Sequence, residues 1–473
     1  MNKYKNLALN TMILGIGTFG SKILAMLLTR LYTTHMGSEI LGNKELIEAT
    51  ASVLIPVFTF AISESVIRYG LDKDFNNKQV FSTAIGVQFF GMLIMLLFSP
   101  ILSTIPFIKG YTHLLVIYVI VSALRQTVSL FVRSVGYMKL YALDGILATL
   151  SLFMFNIIFI SKMELGLTGF MLSIISSDLC SVIFLFITTR LKRFFSLSAI
   201  DREITRIMLR FSIPMIPTSI MWIITGFSDR IFIKYLNGPE GEVGGAAAGL
   251  YTAASKIPNL VSMVSTVFFQ AWNMSAITEY GSKEIGKFYR KVFNAYQSIM
   301  YIASAGIILF VDILSGLLLN YDAHPEYHKA VYYTPVLVLS VLMMCFNMFL
   351  SSIYTAAQKT KNSFWTSFIV TVLNLILNFF LIQKYGVHGA IATTFISYII
   401  CYIIRIIDAR RYIYFKVSHG FTIINVGLLL AMALIMVNRP SGAYIYSALI
   451  FAFILLVNFR AVITLVNKVL HRK

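Results

Sequence analysis

Eight ionisable residues lie inside long apolar stretches of this chain: Lys22, Arg30, Arg125, Lys256, Arg230, Asp178, Asp229 and Asp312. At the centre of a bilayer an ionised side chain costs at least ~2.5–3.5 kcal/mol on insertion scales, so each should face water or an opposite charge. Five of the eight are cationic, and their chemistry is binding rather than bond-making: a net cationic cavity can receive an anionic group. The alternative is internal pairing, for example Asp178 with Arg125 or Lys22, and Asp229 with Lys256. Asp229 and Arg230 are neighbours that diverge around a helix, so at least one needs a partner on another helix.

Other constellations carry less. His324, Glu326 and His328 form an H-x-E-x-H string without the helical H-E-x-x-H spacing of a metal site. Cys180, Cys345 and Cys401 are too scattered for a disulfide framework or a zinc site. Glu64, Arg133, Asp144 and Asp201 fall near the ends of apolar runs, where solvation explains them. Gly238–Gly249 is glycine-rich but lacks the Lys-Ser/Thr ending of a phosphate loop. No catalytic residue, metal or cofactor is expected, and the chain does not read as an enzyme.

The elements that position these residues follow from composition. Hydrophobic residues make up 58% of the 473 positions and charged residues only 12%, against about 25% charge in a soluble domain. Lipid must therefore be part of the solvent, which excludes soluble enzymes and nucleic-acid binders despite the net charge of +19. Windows of about 20 apolar residues, the length of a membrane-crossing helix, recur fourteen times. They run Leu7–Thr34, Leu46–Tyr69, Val80–Ile105, Tyr111–Met138, Tyr141–Ser161, Leu165–Thr189 and Phe211–Leu236. The second seven are Ala246–Thr278, Val292–Leu319, Val331–Ala357, Phe364–Ile382, His388–Ile407, Phe421–Val437 and Ala443–Leu465. The runs are continuous rather than alternating, which rules out a β-barrel. The expected fold is an all-α polytopic membrane protein with 14 transmembrane helices.

The Lys and Arg residues orient the chain. With the N-terminus cytoplasmic, 27 of the 39 fall on the inner side, 7 on the outer side and five within spans, as the positive-inside rule requires. Both termini are then cytoplasmic. The first apolar run is too long for a cleavable signal peptide. The longest polar connection, Arg190–Arg210, reads as a basic amphipathic helix touching anionic lipid, and also as a hinge between two halves.

Helix rise converts position into depth. Lys22, Arg125 and Asp178 come out ~18, ~21 and ~20 Å below the outer face, sharing one level near the midplane. Arg30 lies at ~6 Å, Asp229 and Asp312 at ~10 Å and Lys256 at ~15 Å. Pro214, Pro217 and Pro258 cluster in spans seven and eight beside Asp229 and Lys256, and mark a bending, gating element there; Pro56 and Pro335 mark further kinks.

Several stretches resemble a known family. Span seven reads FSIPMIPTSIMWIITGFSDRIFI, with paired prolines and Asp229-Arg230 near its outer end. Span eight reads GLYTAASKIPNLVSMVSTVFFQAW. Span eleven into twelve reads NLILNFFLIQKYGVHGAIATTFISY, with Asn374 and Asn378 four apart and then Gly386 and Gly389. The first span, with Lys22 and Arg30 before Met36-Gly37, fits the same pattern. Over essentially the whole chain the sequence resembles the bacterial polysaccharide transporters, the Wzx-type lipid-linked oligosaccharide flippases of the multidrug/oligosaccharidyl-lipid/polysaccharide exporter superfamily.

That resemblance implies two pseudo-symmetric six-helix lobes in a V around a central cavity, residues 1–189 and 211–416. A basic cytoplasmic linker (190–210) joins them, and two additional transmembrane helices (417–473) follow. It implies an undecaprenyl-pyrophosphate-linked oligosaccharide as substrate, moved from the inner to the outer leaflet of the bacterial cytoplasmic membrane by alternating access. Membrane lipid and polysaccharide polymerase machinery are the expected partners. Lys22, Arg30, Arg125 and Lys256 would receive the pyrophosphate. Asp178, Asp229, Arg230 and Asp312 would serve coupling or salt bridges, and the prenyl tail would run along spans thirteen and fourteen. The rivals are a lipid II flippase, a cation-coupled multidrug exporter and, from another class, a membrane-embedded polymerase.

Overall fold

The computed structural model describes residues 24 to 470 apart from 25, 73, 279–283 and 358. The described residues are helical, with no strand among them. They group into two compact units, one reaching Ser228 and the other beginning at Asp229. Among the described residues eight helices are long and apolar enough to cross a membrane, or nine if one bent pair counts as a single span. The first expected span, and Lys22 with it, lies largely or wholly outside the described residues.

In the N-terminal unit α1 covers residues 26–35. There follow α2 (Ser38–Phe58), α3 (Ile62–Gly70), α4 (Asn77–Leu102), α5 (Thr112–Ser134), α6 (Met138–Asn156) and α7 (Gly166–Thr188). The second expected span is not straight: α2 and α3 meet at 61°. Pro56 removes a helical N–H near the end of α2, and Phe60 and Ala61 take left-handed backbone angles at the corner. The corner fits because Gly91 of α4 has no side chain; a Cβ there would lie 1.6 Å from the Phe58 carbonyl oxygen.

The basic connection becomes two short 3-10 turns and then α8 (Arg202–Ser212). Asp201 caps α8 by accepting from the Ile204 N–H at 2.9 Å. One face buries Met208, whose carbonyl accepts from Ser65 Oγ, while Arg202, Arg206 and Arg210 stay exposed. Around it Ile62, Val66, Phe81, Phe131 and Leu185 form a buried core.

The seventh expected span is α9 (Met215–Tyr235). Pro214 sits in the turn before it and Pro217 in its first turn, where a missing N–H breaks no helical bond. The C-terminal unit continues with α10 (Gly245–Lys256), α11 (Asn259–Thr278), α12 (Ile285–Leu309), α13 (Val311–Leu318) and α14 (Ala330–Ala356). Pro258 lies at the break between α10 and α11, whereas Pro335 sits inside an unbroken α14.

The 50-residue α15 (Thr360–Ala409) is two helices joined at Gly386, whose φ of 57° and ψ of −133° are not helical. The Val387 N–H there donates to the Glu242 carbonyl at 3.1 Å, and a Cβ on Gly386 would come within 2.3 Å of Glu242 Cβ. Finally α16 (His419–Asn438) and α17 (Ala443–Leu470) pack on α12, and α16 also on α14. Leu429, Met432, Met436 and Ile454 enter the same aromatic core as Trp272, Tyr289, Phe293 and Phe349. The last two spans therefore bury one face in the C-terminal unit, and residues such as Ile423, Leu449 and Leu456 stay exposed on the other.

Candidate functional site

The polar stripe Ser122-Arg125-Ser129 on α5 faces Asp178 and Ser181 of α7 and Asp144 of α6. Arg125 Nη1 donates to Asp178 at 3.0 Å, Nε donates to Ser181 Oγ at 3.0 Å, and Nη2 stands 4.0 Å from Asp144. Both carboxylates are nearly out of solvent, with side-chain exposures of 1% for Asp144 and 7% for Asp178. Ser122 donates to Asp178; Ser181 and Ser129 donate to Asp144. One guanidinium thus serves two buried acids, and with both ionised the cluster carries a net charge of −1.

These residues border a cavity of about 460 Å3 between α5, α6 and α7. Tyr118, Gln126, Tyr141 and Thr149 share its wall with Arg125 and Asp178, and Leu130, Leu152 and Ile174 supply apolar surface. Its size is that of a small-molecule pocket.

A second buried cluster lies on α2. Lys44 Nζ donates to Glu48 at 2.7 Å and Glu45 at 3.0 Å, and sits 4.6 Å from the Phe170 ring centroid and 5.1 Å from that of Tyr32. Only 5% of Lys44 is exposed. Lys44 lies two residues before the second expected span, which starts at Leu46; α2 begins earlier, at Ser38, and draws it inside.

In the C-terminal unit Asp229 is 4% exposed and is surrounded by neutral donors. Tyr251 donates to Oδ2 at 2.6 Å, Thr394 to Oδ2 at 2.8 Å and Asn378 Nδ2 to Oδ1 at 2.6 Å. Asn378 Nδ2 also reaches Asn374 Oδ1 at 3.1 Å, while the Asn378 carbonyl oxygen has no hydrogen-bond partner among the described residues. Three neutral groups, the Tyr251 and Thr394 hydroxyls and the Asn378 amide nitrogen, thus donate to one buried carboxylate, an arrangement that holds it as an acceptor inside apolar helices. Arg230 points elsewhere, donating to Thr252 at 3.0 Å and Ser255 at 3.2 Å.

Two further charges have structural partners. Arg405, two residues inside the end of the twelfth expected span, is 3% exposed and donates to the Asn347 carbonyl at 2.7 Å and to Ser367 at 2.8 Å. It lies inside because α15 runs on to Ala409. Asp312, expected within a span, sits in the first turn of α13 and accepts from Arg439 and from Tyr444. Arg439 occupies the connection between α16 and α17, where burial opposes its charge, but Asp312 outweighs that and raises its pKa above the ordinary arginine value. The three residues tie the last helical pair to α13.

Among the expected site residues, Arg125 and Asp178 are brought together, as are Asp229 and the two asparagines of the span-eleven motif. Arg30 and Lys256 are half-buried, in different units, and Lys22 lies outside the described residues. Asp144 is a correction: it was assigned to the solvated end of its span, yet it is 1% exposed and part of the Arg125 cluster. The serines at 122, 129, 177 and 181, spaced around Arg125 and Asp178, are the sequence signal by which this polar cluster could have been found. Among the described residues no group of three or more His, Cys, Asp or Glu side chains is placed to hold a metal. His324 and Glu326 approach to 3.5 Å without a third member.

Comparison with known proteins gives a family and a fold. Residues 7–273, more than half of the chain, match the family described as polysaccharide biosynthesis protein, and residues 214–380 match the MatE family. No match was found among curated proteins. Among solved structures, an inward-facing multidrug resistance MATE family transporter of the MOP superfamily aligns with a TM-score of 0.64 at 14% identity, covering 84% of this chain and 98% of its own. The lipid II flippase MurJ in an inward closed conformation aligns with a TM-score of 0.62 at 14% identity, covering 97% and 99%. A MOP superfamily transporter from Pyrococcus furiosus, described by a binding pocket of reversed polarity, aligns at 0.58 and 15%, covering 85% and 96%. The fold is therefore that of the MATE transporters and the MurJ flippase, in a multi-pass membrane protein.

Proposed function

The chain belongs to the polysaccharide biosynthesis protein family, and on that premise we propose that it is a flippase for undecaprenyl-pyrophosphate-linked oligosaccharide units. It moves them from the inner to the outer leaflet of the bacterial cytoplasmic membrane for assembly into a surface glycan. The family match over residues 7–273 carries this reading. Buried polar clusters inside otherwise apolar helices support it, because a channel-free path for a charged, hydroxylated head group needs such surfaces.

In this reading the chain crosses the membrane fourteen times with both termini cytoplasmic. Two six-helix lobes, 1–189 and 211–416, alternate access, and residues 417–473 add two helices. Lys22, Arg30 and Lys256 receive the pyrophosphate. Arg125 is not among them, since Asp144 and Asp178 already claim its charge; it holds together the polar pocket beside α5. Asp229, buried and held by donors from Tyr251, Asn378 and Thr394, is the coupling site, where a proton or a monovalent cation neutralises the carboxylate once per cycle. Pro214, Pro217 and Pro258 stand at the helix ends that flex.

Deleting the gene and analysing lipids tests the reading. Undecaprenyl-pyrophosphate-linked oligosaccharide accumulating on the inner leaflet, relieved by the wild-type gene, is the expected result. Unchanged lipids and surface glycan would reject it. A second reading, lipid II as cargo, is favoured by the alignment with MurJ over nearly the full length of both chains. Rescue of a strain depleted of its lipid II flippase would select that reading.

A further inference from the structure

The cavity between α5, α6 and α7 has the wrong charge for a phosphate. Arg125, the one cation among its described lining residues, is bound at 3.0 Å to Asp178 and faces Asp144, so with both acids ionised the cluster is net negative. Arg133, whose guanidinium lies 5.4 Å from the Tyr141 ring centroid, is exposed near the end of α5, where solvent screens it. Tyr118, on the cavity wall, feels Glu48, Asp178, Lys44 and Tyr32, and Lys44 is itself shared between Glu45 and Glu48. A diphosphate entering here would meet an excess of carboxylate.

The rest of the lining is rich in neutral donors and acceptors that have room for a ligand. The Gln126 amide is exposed, and neither it nor the Tyr141 hydroxyl hydrogen-bonds to any described residue. Tyr118, only 7% exposed, likewise leaves its hydroxyl uncommitted on the cavity wall. Thr149 donates to the Gly145 carbonyl at 2.8 Å and keeps its acceptor capacity. Each Asp178 oxygen accepts one bond from Arg125 or Ser122, and a carboxylate has capacity for about four. Such a mixture of carboxylate, amide and hydroxyl groups beside tyrosine rings and the apolar Leu130, Leu152 and Ile174 matches a polyhydroxylated ring, with polar rims and apolar C–H faces.

We propose that this cavity is a glycan subsite, which binds a sugar of the transported unit through Asp178, Gln126, Tyr118 and Tyr141 and takes no part in holding the diphosphate. The proposal rests on the flippase reading and divides its substrate: the N-terminal unit reads the sugar, while cations elsewhere hold the diphosphate. Recognition through a carboxylate, an amide and hydroxyls confers selection, because a ligand that lacks the matching hydroxyls leaves those groups without partners once it displaces water from the cavity.

The test uses the full-length protein in nanodiscs and two probes: synthetic undecaprenyl diphosphate, and the undecaprenyl-linked glycan extracted from cells lacking the gene. Wild type should bind the glycan-bearing lipid more tightly than the bare diphosphate. Gln126→Ala combined with Tyr141→Phe should weaken the glycan-bearing lipid about tenfold, the effect of losing two hydrogen bonds, and leave the bare diphosphate within about twofold. Gln126 is exposed and Tyr141→Phe keeps the ring, so an unchanged unfolding midpoint verifies that the variant is intact. Parallel loss of both probes, no loss of either, or a change only in pH or sodium dependence would overturn the proposal. Failure of the flippase reading looks different: no glycan-bearing lipid would accumulate in the cells lacking the gene.

Discussion

Arg125 of α5 donates to Asp178 of α7 across 3.0 Å while its other terminal nitrogen stands 4.0 Å from Asp144 of α6. A single guanidinium therefore holds three helices of the N-terminal unit together and offsets only one of the two buried charges it touches. Removing it leaves two carboxylates in a low-dielectric interior, which is the costly way to break an ion pair.

Arg125→Ala should lose transport and lower the unfolding midpoint, with a stability loss of up to about 3 kcal/mol, since Arg125 keeps some solvent contact. Adding Asp178→Asn should recover much of the midpoint by removing one uncompensated charge, without restoring transport. Thermal unfolding of the single and double variants in detergent checks this. Equal midpoints for the two would show that the pair does not stabilise the unit.

Asp229→Asn should abolish the dependence of transport on pH or on sodium, whichever the wild type displays. Asn378→Ala removes the donor at 2.6 Å from Asp229 and should cost about 1–3 kcal/mol, the range for an unsatisfied buried group. Transport rates across a pH series and a sodium series, with unfolding midpoints, separate the two effects. An Asp229→Asn protein that keeps the wild-type dependence would remove Asp229 from the coupling role.

Gly386→Ala should destabilise the C-terminal unit. The left-handed backbone costs a residue with a side chain about 1–2 kcal/mol, and the new Cβ would collide with Glu242 Cβ, 2.3 Å away. Gly389→Ala should also destabilise, through a Cβ 2.1 Å from the Leu381 carbonyl oxygen. Unfolding midpoints measure both, and values equal to wild type would mean that the crook at Gly386 is not a fixed feature.

Asp312→Asn should leave transport close to wild type, because Asp312 is engaged by Arg439 and Tyr444 at a helix end. A partly exposed pair of this kind contributes at most about 1 kcal/mol. Transport reduced tenfold or more would return Asp312 to the coupling candidates.

Much of this architecture is legible in sequence because lipid imposes one rule on every span. Apolar length located α4, α5, α7, α12 and α16, and prolines located the breaks at Pro214 and Pro258. Where a helix begins is set by local caps and packing, which hydropathy does not record. Lys44 precedes the expected span that starts at Leu46, yet α2 begins at Ser38 and carries it inside; Asp144 lies within its expected span, and hydropathy does not record the polar cluster that buries it. The 61° corner between α2 and α3 was legible only as Pro56; its depth depends on Gly91, a residue of another helix. The asparagine pair at 374 and 378 was read as a family motif, and the structure supplies its physical content as the donor and neighbour of Asp229.

The central claim is that the chain carries a glycan linked to an isoprenoid diphosphate across a bilayer. The most direct measurement reconstitutes the purified protein into liposomes with undecaprenyl-linked glycan from cells lacking the gene in the membrane. A membrane-impermeant glycosidase outside the vesicles then reports how much glycan becomes accessible with time. The account predicts cleavage rising from about half of the lipid toward completion with wild type, and halting at half in vesicles without the protein. Cleavage that stops at half with wild type as well would contradict it.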